Sequence, residues 1–169
     1  MNKIKYLLGI VILLFSSSCI KNDEITVQST VIEWDAATYN ANSAGLLYPL
    51  LTRYTGYGRA TVTTDPLLTR TSGTVKLRVN LVGPQRSTAT EISYSVQAAG
   101  TTAVSGTHFT TTGKATIPAN SSFAEVEVVI LNPGASTGGA KTLALELLPS
   151  GDIKPSENEK YIGLSIAQN

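Results

Sequence analysis

The chain has 169 residues, of which 42% are hydrophobic and 15% charged, with 13 basic against 12 acidic side chains. It is too apolar for a disordered segment, and a formal charge of +1 offers no basic surface for nucleic acid. One Cys and one His exclude a disulfide framework and a zinc site built from several Cys and His ligands of this chain.

Met1 to Phe15 places Lys3 and Lys5 ahead of an apolar run from Tyr6 to Phe15. A helix of that length covers about 15 Å, half a bilayer's hydrocarbon core, so the run is too short to span. Ser16, Ser17 and Ser18 follow, small residues of the kind that precede a cleavage point, and Cys19 comes directly after them. The stretch resembles a bacterial lipoprotein signal, with Ser16 where such signals usually carry Leu. The resemblance implies that residues 1–18 are removed and that Cys19 is acylated to become the first residue of the mature chain. Residues 19–24 then form a short tether. Its Lys21, Asn22, Asp23 and Glu24 are similar to the export tag of Bacteroidota lipoproteins shown on the outer face of the outer membrane. Two or more acyl chains hold a protein durably. No other segment is a long enough apolar run to span, so lipid is the expected membrane attachment.

Residues 25–169 read as one domain, large enough to bury a core without metal or disulfide. A first strand is expected over Ile25–Trp34. There Ile25, Val27 and Val31 share one parity while Ile32 and Trp34 take the other, a switch that a bulge or a change of sheet produces. The irregular segment from Trp34 to Arg70 holds one further short strand, Arg59–Thr63. Strict alternation then begins. Val75, Leu77, Val79 and Leu81 oppose Lys76, Arg78 and Asn80, and Ile92, Tyr94 and Val96 oppose Ser93, Ser95 and Gln97. After a short strand at Lys114–Ile117, Ala124, Val126, Val128 and Ile130 alternate with Glu125 and Glu127, although Val129 interrupts the polar face. Leu143, Leu145 and Leu147 alternate with Ala144 and Glu146, and Ile162, Leu164 and Ile166 with Gly163 and Ser165. Gly83-Pro84, Asn132-Pro133-Gly134 and Pro149-Ser150-Gly151-Asp152 supply the turns. Period two with one polar face means half-buried antiparallel strands. Seven or eight of them with short connections predict an all-β, immunoglobulin-like antiparallel β-sandwich, with a closed barrel as the alternative.

From about Ser72 the chain resembles a Calx-beta domain. Gly73 to Leu81 is similar to the opening strand, and Ala103-Val104-Ser105-Gly106-Thr107-His108-Phe109 follows the pattern Ala, two variable residues, Gly, one variable residue, Asp, aromatic. Gly113 to Ser122 reads as the short strand and turn, and Lys141–Leu147 with Tyr161–Ile166 as the paired closing strands. The resemblance implies the fold. Its calcium function does not carry over, because His108 stands where the family has Asp and Asn132-Pro133 where calcium-binding members place adjacent aspartates. No metal or other cofactor is expected. A lipid signal followed by one such domain is also similar to small Bacteroidota lipoproteins found beside glycan-uptake systems.

No catalytic motif stands out. There is no phosphate-cradling glycine loop or His-Glu-x-x-His helix. Glu125 and Glu127 lie on one strand face about 7 Å apart, a spacing open to glycosidase chemistry but ordinary for a solvated sheet face. His108 is expected to tie a loop. The chemistry concentrates instead in Trp34–Arg70, where Trp34, Tyr39, Tyr48, Arg53, Tyr54, Tyr57 and Arg59 combine flat rings, polar tips and guanidinium groups. Such groups suit sugars: ring faces stack on CH groups while hydroxyls and arginines take hydrogen bonds. The same residues equally suit the cover over an open sandwich end. The expectation is therefore a noncatalytic, lipid-anchored surface domain accessory to glycan capture or uptake, with a glycan or an outer-membrane uptake protein as partner. The alternative is a structural or adhesion lipoprotein that binds a protein through a free sheet edge.

Overall fold

The computed structural model describes residues 29–39, 41–54, 56–135 and 138–169. The signal, the acylation residue Cys19, the tether and the start of the expected first strand lie outside these residues. Ten strands follow in chain order: β1 Val31–Trp34, β2 Leu50–Leu51, β3 Thr74–Val82, β4 Thr90–Val96, β5 Phe109–Thr111, β6 Lys114–Ile117, β7 Phe123–Ile130, β8 Lys141–Leu148, β9 Lys154–Pro155 and β10 Tyr161–Ile166. They form two five-stranded sheets, β5-β7-β3-β1-β9 (sheet A) and β2-β10-β8-β4-β6 (sheet B). The fold is a β-sandwich, as the alternation predicts.

The long strands take the faces that their sequence dictates. Val75, Leu77, Val79 and Leu81 of β3 are buried while Lys76 is exposed, and β7 buries Ala124, Val126, Val128 and Ile130. Leu143, Leu145 and Leu147 of β8 and Ile162, Leu164 and Ile166 of β10 close the core from sheet B. Each such side chain contributes about 1.5–3 kcal/mol by leaving water, and these residues form one continuous cluster.

The structure departs from expectation at the short elements. Arg59–Thr63 is not a strand but part of an exposed turn. Strands β2, β5 and β9 have two or three residues each, too few to show a period. Two outer pairings, β1 with β9 and β2 with β10, are parallel, so the sheets are mixed rather than wholly antiparallel. In β1, Ile32 and Trp34 point inward, the second of the two parities in the sequence.

Trp34 joins the layers. Its ring meets Tyr94 of β4 edge-on, with centroids 6.3 Å apart and planes at 69°. Its backbone N–H donates to Glu159 O at 2.9 Å and its indole Nε1–H to Lys160 O at 3.0 Å. The two carbonyls immediately before β10 are thereby fixed to β1 of sheet A.

Candidate functional site

Strand β1 ends at Trp34, but its partner β3 continues outward, and the segment between β1 and β3 must cover what is left. Asp35 N–H still pairs with Arg78 O at 3.0 Å, and a single helical turn follows, with Thr38 and Tyr39 N–H both donating to Asp35 O. Beyond it, the Tyr54 hydroxyl accepts from Lys76 N–H and donates to Lys76 O, both at 2.9 Å. One phenol thus replaces the strand residue that β3 lacks on that side. The buried Asp35 carboxylate organises the same region, accepting from Thr38 Oγ1 at 2.7 Å and from Asn80 Nδ2 at 3.1 Å, while Thr38 Oγ1 accepts from Gly58 N–H.

Most of the aromatic and basic residues expected at a binding surface belong to this cover. Trp34 is 0% and Tyr39 2% exposed, so neither can touch a ligand, a correction imposed by the inward face of β1 and the turn after it. Burial pushes the Tyr39 hydroxyl well above the usual phenol range. Arg59 grips Asp65 with two hydrogen bonds of 2.8 Å, and Val62 N–H adds a third at 2.8 Å. Together they hold the Asp65 carboxyl down at about 2, Arg59 being the larger cause. Arg53 Nη1 donates to Asp65 O, so both arginines brace the loop. Tyr57 lies on the outer face of sheet A and donates to Glu125. The Arg78 guanidinium sits 4.2 Å from the Phe123 ring centroid and 5.6 Å from that of Tyr57. Cation–π contact engages those rings and clasps the loop to the sheet. Lys76 bridges Glu125 at 3.0 Å and Glu127 at 3.3 Å, which makes this carboxylate pair part of a charged ladder.

Tyr48 differs from the rest. It precedes β2 and lies over the outer face of sheet B, where the strands beneath it carry small residues. A Cβ on Gly163 would stand 3.0 Å from Tyr48 Cε2 and 2.8 Å from Leu50 Cδ1, and one on Gly100 would stand 2.5 Å from the Tyr48 hydroxyl. Only glycine leaves room for the ring to seat so closely. Beside it stands Tyr161 of β10, with centroids 6.2 Å apart and planes at 47°. The Tyr161 hydroxyl donates to Oε1 of Glu146, its cross-strand partner on β8, at 3.0 Å. That hydrogen bond pushes the phenol's ionisation up. Lys160 Nζ lies 5.5 Å from the Tyr161 ring centroid and pairs with Glu157 at 2.9 Å. Both rings are half-buried, and a groove of about 910 Å³ opens alongside, bounded at this end by Glu146 and Lys160.

Of the expected contact residues, then, Tyr48 alone joins this outer-face cluster, and its companions Tyr161 and Glu146 were not among the candidates. The signal for them was parity. In a strand whose Ile162, Leu164 and Ile166 face inward, Tyr161 must face outward, and Glu146 does so for the same reason in β8. His108 is 5% exposed, and its Nδ1 accepts from Val104 N–H at 2.9 Å, closing the loop before β5. Among the described residues no three His, Cys, Asp or Glu side chains come together as a metal site requires.

Solved structures share this architecture. The apo form of the Calx CBD1 domain matches with a TM-score of 0.50 at 16% identity, over 60% of this chain and 88% of that one. The fold is Calx-beta-like. CBD12 from CALX1.2 matches with a TM-score of 0.50 at 18% identity, over 59% of this chain and 40% of that one. A Bacteroides ovatus protein of unknown function matches with a TM-score of 0.50 at 12% identity, over 82% of this chain and 52% of its own. No protein-family model matches the sequence, and no curated protein sequence does. At 12–18% identity the likeness of this Calx-beta-like sandwich is one of fold, and function lies in the residues set upon it.

The role assigned to Tyr54 has a direct check. Tyr54→Phe keeps the ring and removes both hydrogen bonds to the Lys76 backbone, so it is expected to lower unfolding stability by about 1 kcal/mol, measured by urea denaturation. An unchanged midpoint would refute the role.

Proposed function

We propose that the protein is a noncatalytic cell-surface domain, lipid-anchored to the outer membrane through Cys19, that captures glycans at the Tyr48–Tyr161 face as an accessory to uptake. The observation that carries this reading is the tilted pair of half-buried tyrosines beside the Glu146 carboxylate. Tyr48 offers an apolar ring seated on glycine, against which the CH face of a sugar stacks. Glu146 uses one oxygen for Tyr161 and has no other hydrogen-bond partner among the described residues. Its second oxygen is therefore an acceptor for sugar hydroxyls. Glu146 and Tyr161 stand on the paired strands β8 and β10, and Tyr48 lies just before β2 beside them, a rigid base that keeps the ordering cost of binding low.

The noncatalytic part rests on two placements. The sole histidine is folded into a loop, and the Glu125/Glu127 pair is bridged by Lys76 of the adjacent strand β3 in sheet A. Strand addition by a protein partner has less support. All four edge strands have only two to four residues, and β9 includes Pro155, so the edges present few free backbone groups.

The mature protein is expected to bind members of a glycan array, and Tyr48→Ala or Tyr161→Ala to weaken that binding by about tenfold, equivalent to about 1.4 kcal/mol. Tyr57→Ala is expected to leave it unchanged. Binding lost on Tyr57→Ala but kept on Tyr161→Ala would refute the assignment. For the anchor, Cys19→Ser is expected to move the protein from the membrane fraction to the soluble fraction, and retention in the membrane would count against acylation.

A further inference from the structure

The groove beside the tyrosine pair extends well past the space that one sugar ring needs. It begins at Glu146 and Lys160, the two side chains that flank Tyr161, passes Pro149 and Lys154, and reaches Ser29 near the start of β1 in the other sheet. Its volume, about 910 Å³, lies near the upper end of the range for small-molecule sites, roughly 300–1,000 Å³. Neither tyrosine ring lines it; the pair adjoins the groove at its Glu146 and Lys160 end.

The charge along its walls is nearly balanced. Glu157 is paired with Lys160 at 2.9 Å, Asp152 with Arg86 at 2.6 Å, and Glu146 is engaged by the Tyr161 hydroxyl. Lys154 is exposed and has no ion-pair partner among the described residues. A run of paired charges and hydroxyls offers many hydrogen-bond donors and acceptors but no net field to select an ion.

Resting on the glycan reading above, we infer that the site takes a neutral oligosaccharide in extended form. One unit stacks at Tyr48 and Tyr161, and the following units lie in the groove toward Lys154 and Ser29. Glu146 and Lys160 stand at the junction, where they hydrogen-bond hydroxyls of the stacked unit and of the next one. Lys154 donates to a unit further along. Affinity therefore grows with chain length until the groove is filled, and an acidic chain gains nothing over a neutral one.

Calorimetry on the mature protein tests this with malto-, cello- and xylo-oligosaccharides from disaccharide to hexasaccharide and an oligogalacturonide series as the acidic comparison. The expected result is that in at least one neutral series affinity rises about tenfold or more from the shortest to the longest member. Ser29→Trp, which plugs the far end from an exposed position, and Lys154→Ala, also exposed, should flatten that rise and leave disaccharide binding unchanged. Tyr161→Ala should weaken every length alike. Neutral binding that does not depend on length, or a rise that survives Ser29→Trp, would overturn the groove and leave the tyrosine site standing. A preference for oligogalacturonides would overturn the neutral class. Binding of none of the four series, with circular dichroism showing a folded protein, would overturn the inference. In that case an array signal lost on Tyr161→Ala would keep the wider glycan reading, and a blank array would remove both.

Discussion

One buried indole determines how the two sheets meet. Trp34 is fully buried between the sheets, meets Tyr94 of the opposite sheet edge-on and holds the carbonyls of Glu159 and Lys160. Replacing a buried ring of this size by Ala typically costs about 3–5 kcal/mol, and here it would also release the chain just before β10. Since Tyr161 is the first residue of β10, the same contact that closes the core aims a ring at the solvent on the far side of sheet B. Core and candidate site are thus linked by two hydrogen bonds from one residue.

The segment between β1 and β3 solves a second problem, that of covering a long strand whose neighbour stops early. Asp35, Tyr54 and the Arg59–Asp65 pair do so with side-chain hydrogen bonds in place of a further regular strand. Its polar rings and arginines are therefore consumed internally. Tyr48 escapes this role because the segment crosses to sheet B at that point, and Gly163 and Gly100 leave a flat seat for its ring. A methyl group at either glycine would lift the ring, so the absence of two side chains shapes the surface as much as the presence of the tyrosines.

The sandwich was legible in the sequence wherever strands were long enough for period two to declare itself. Val75 to Leu81, Ala124 to Ile130 and Ile162 to Ile166 take the faces that alternation requires. The two- and three-residue strands were not legible, since their existence depends on neighbours distant in the chain, as when Leu50 pairs with Gly163. Clustering of tyrosines in Trp34–Arg70 was a sound indication that the segment matters but a poor guide to contact, because composition does not distinguish a ring used to brace a loop from one offered to a ligand. Tyr161 and Glu146 were readable from parity alone. What parity could not supply was their alignment across β10 and β8, which is a matter of register between strands.

The proposed function depends on a division of labour, with loop rings as scaffold and the Tyr48–Tyr161 pair as contact surface. Backbone and aromatic chemical-shift mapping by NMR during titration with a bound oligosaccharide addresses it directly. Shifts concentrated at Tyr48, Tyr161, Glu146 and the groove, with Tyr57, Arg78 and Phe123 unmoved, are the predicted result. Shifts centred on Tyr57 and Phe123 would contradict it.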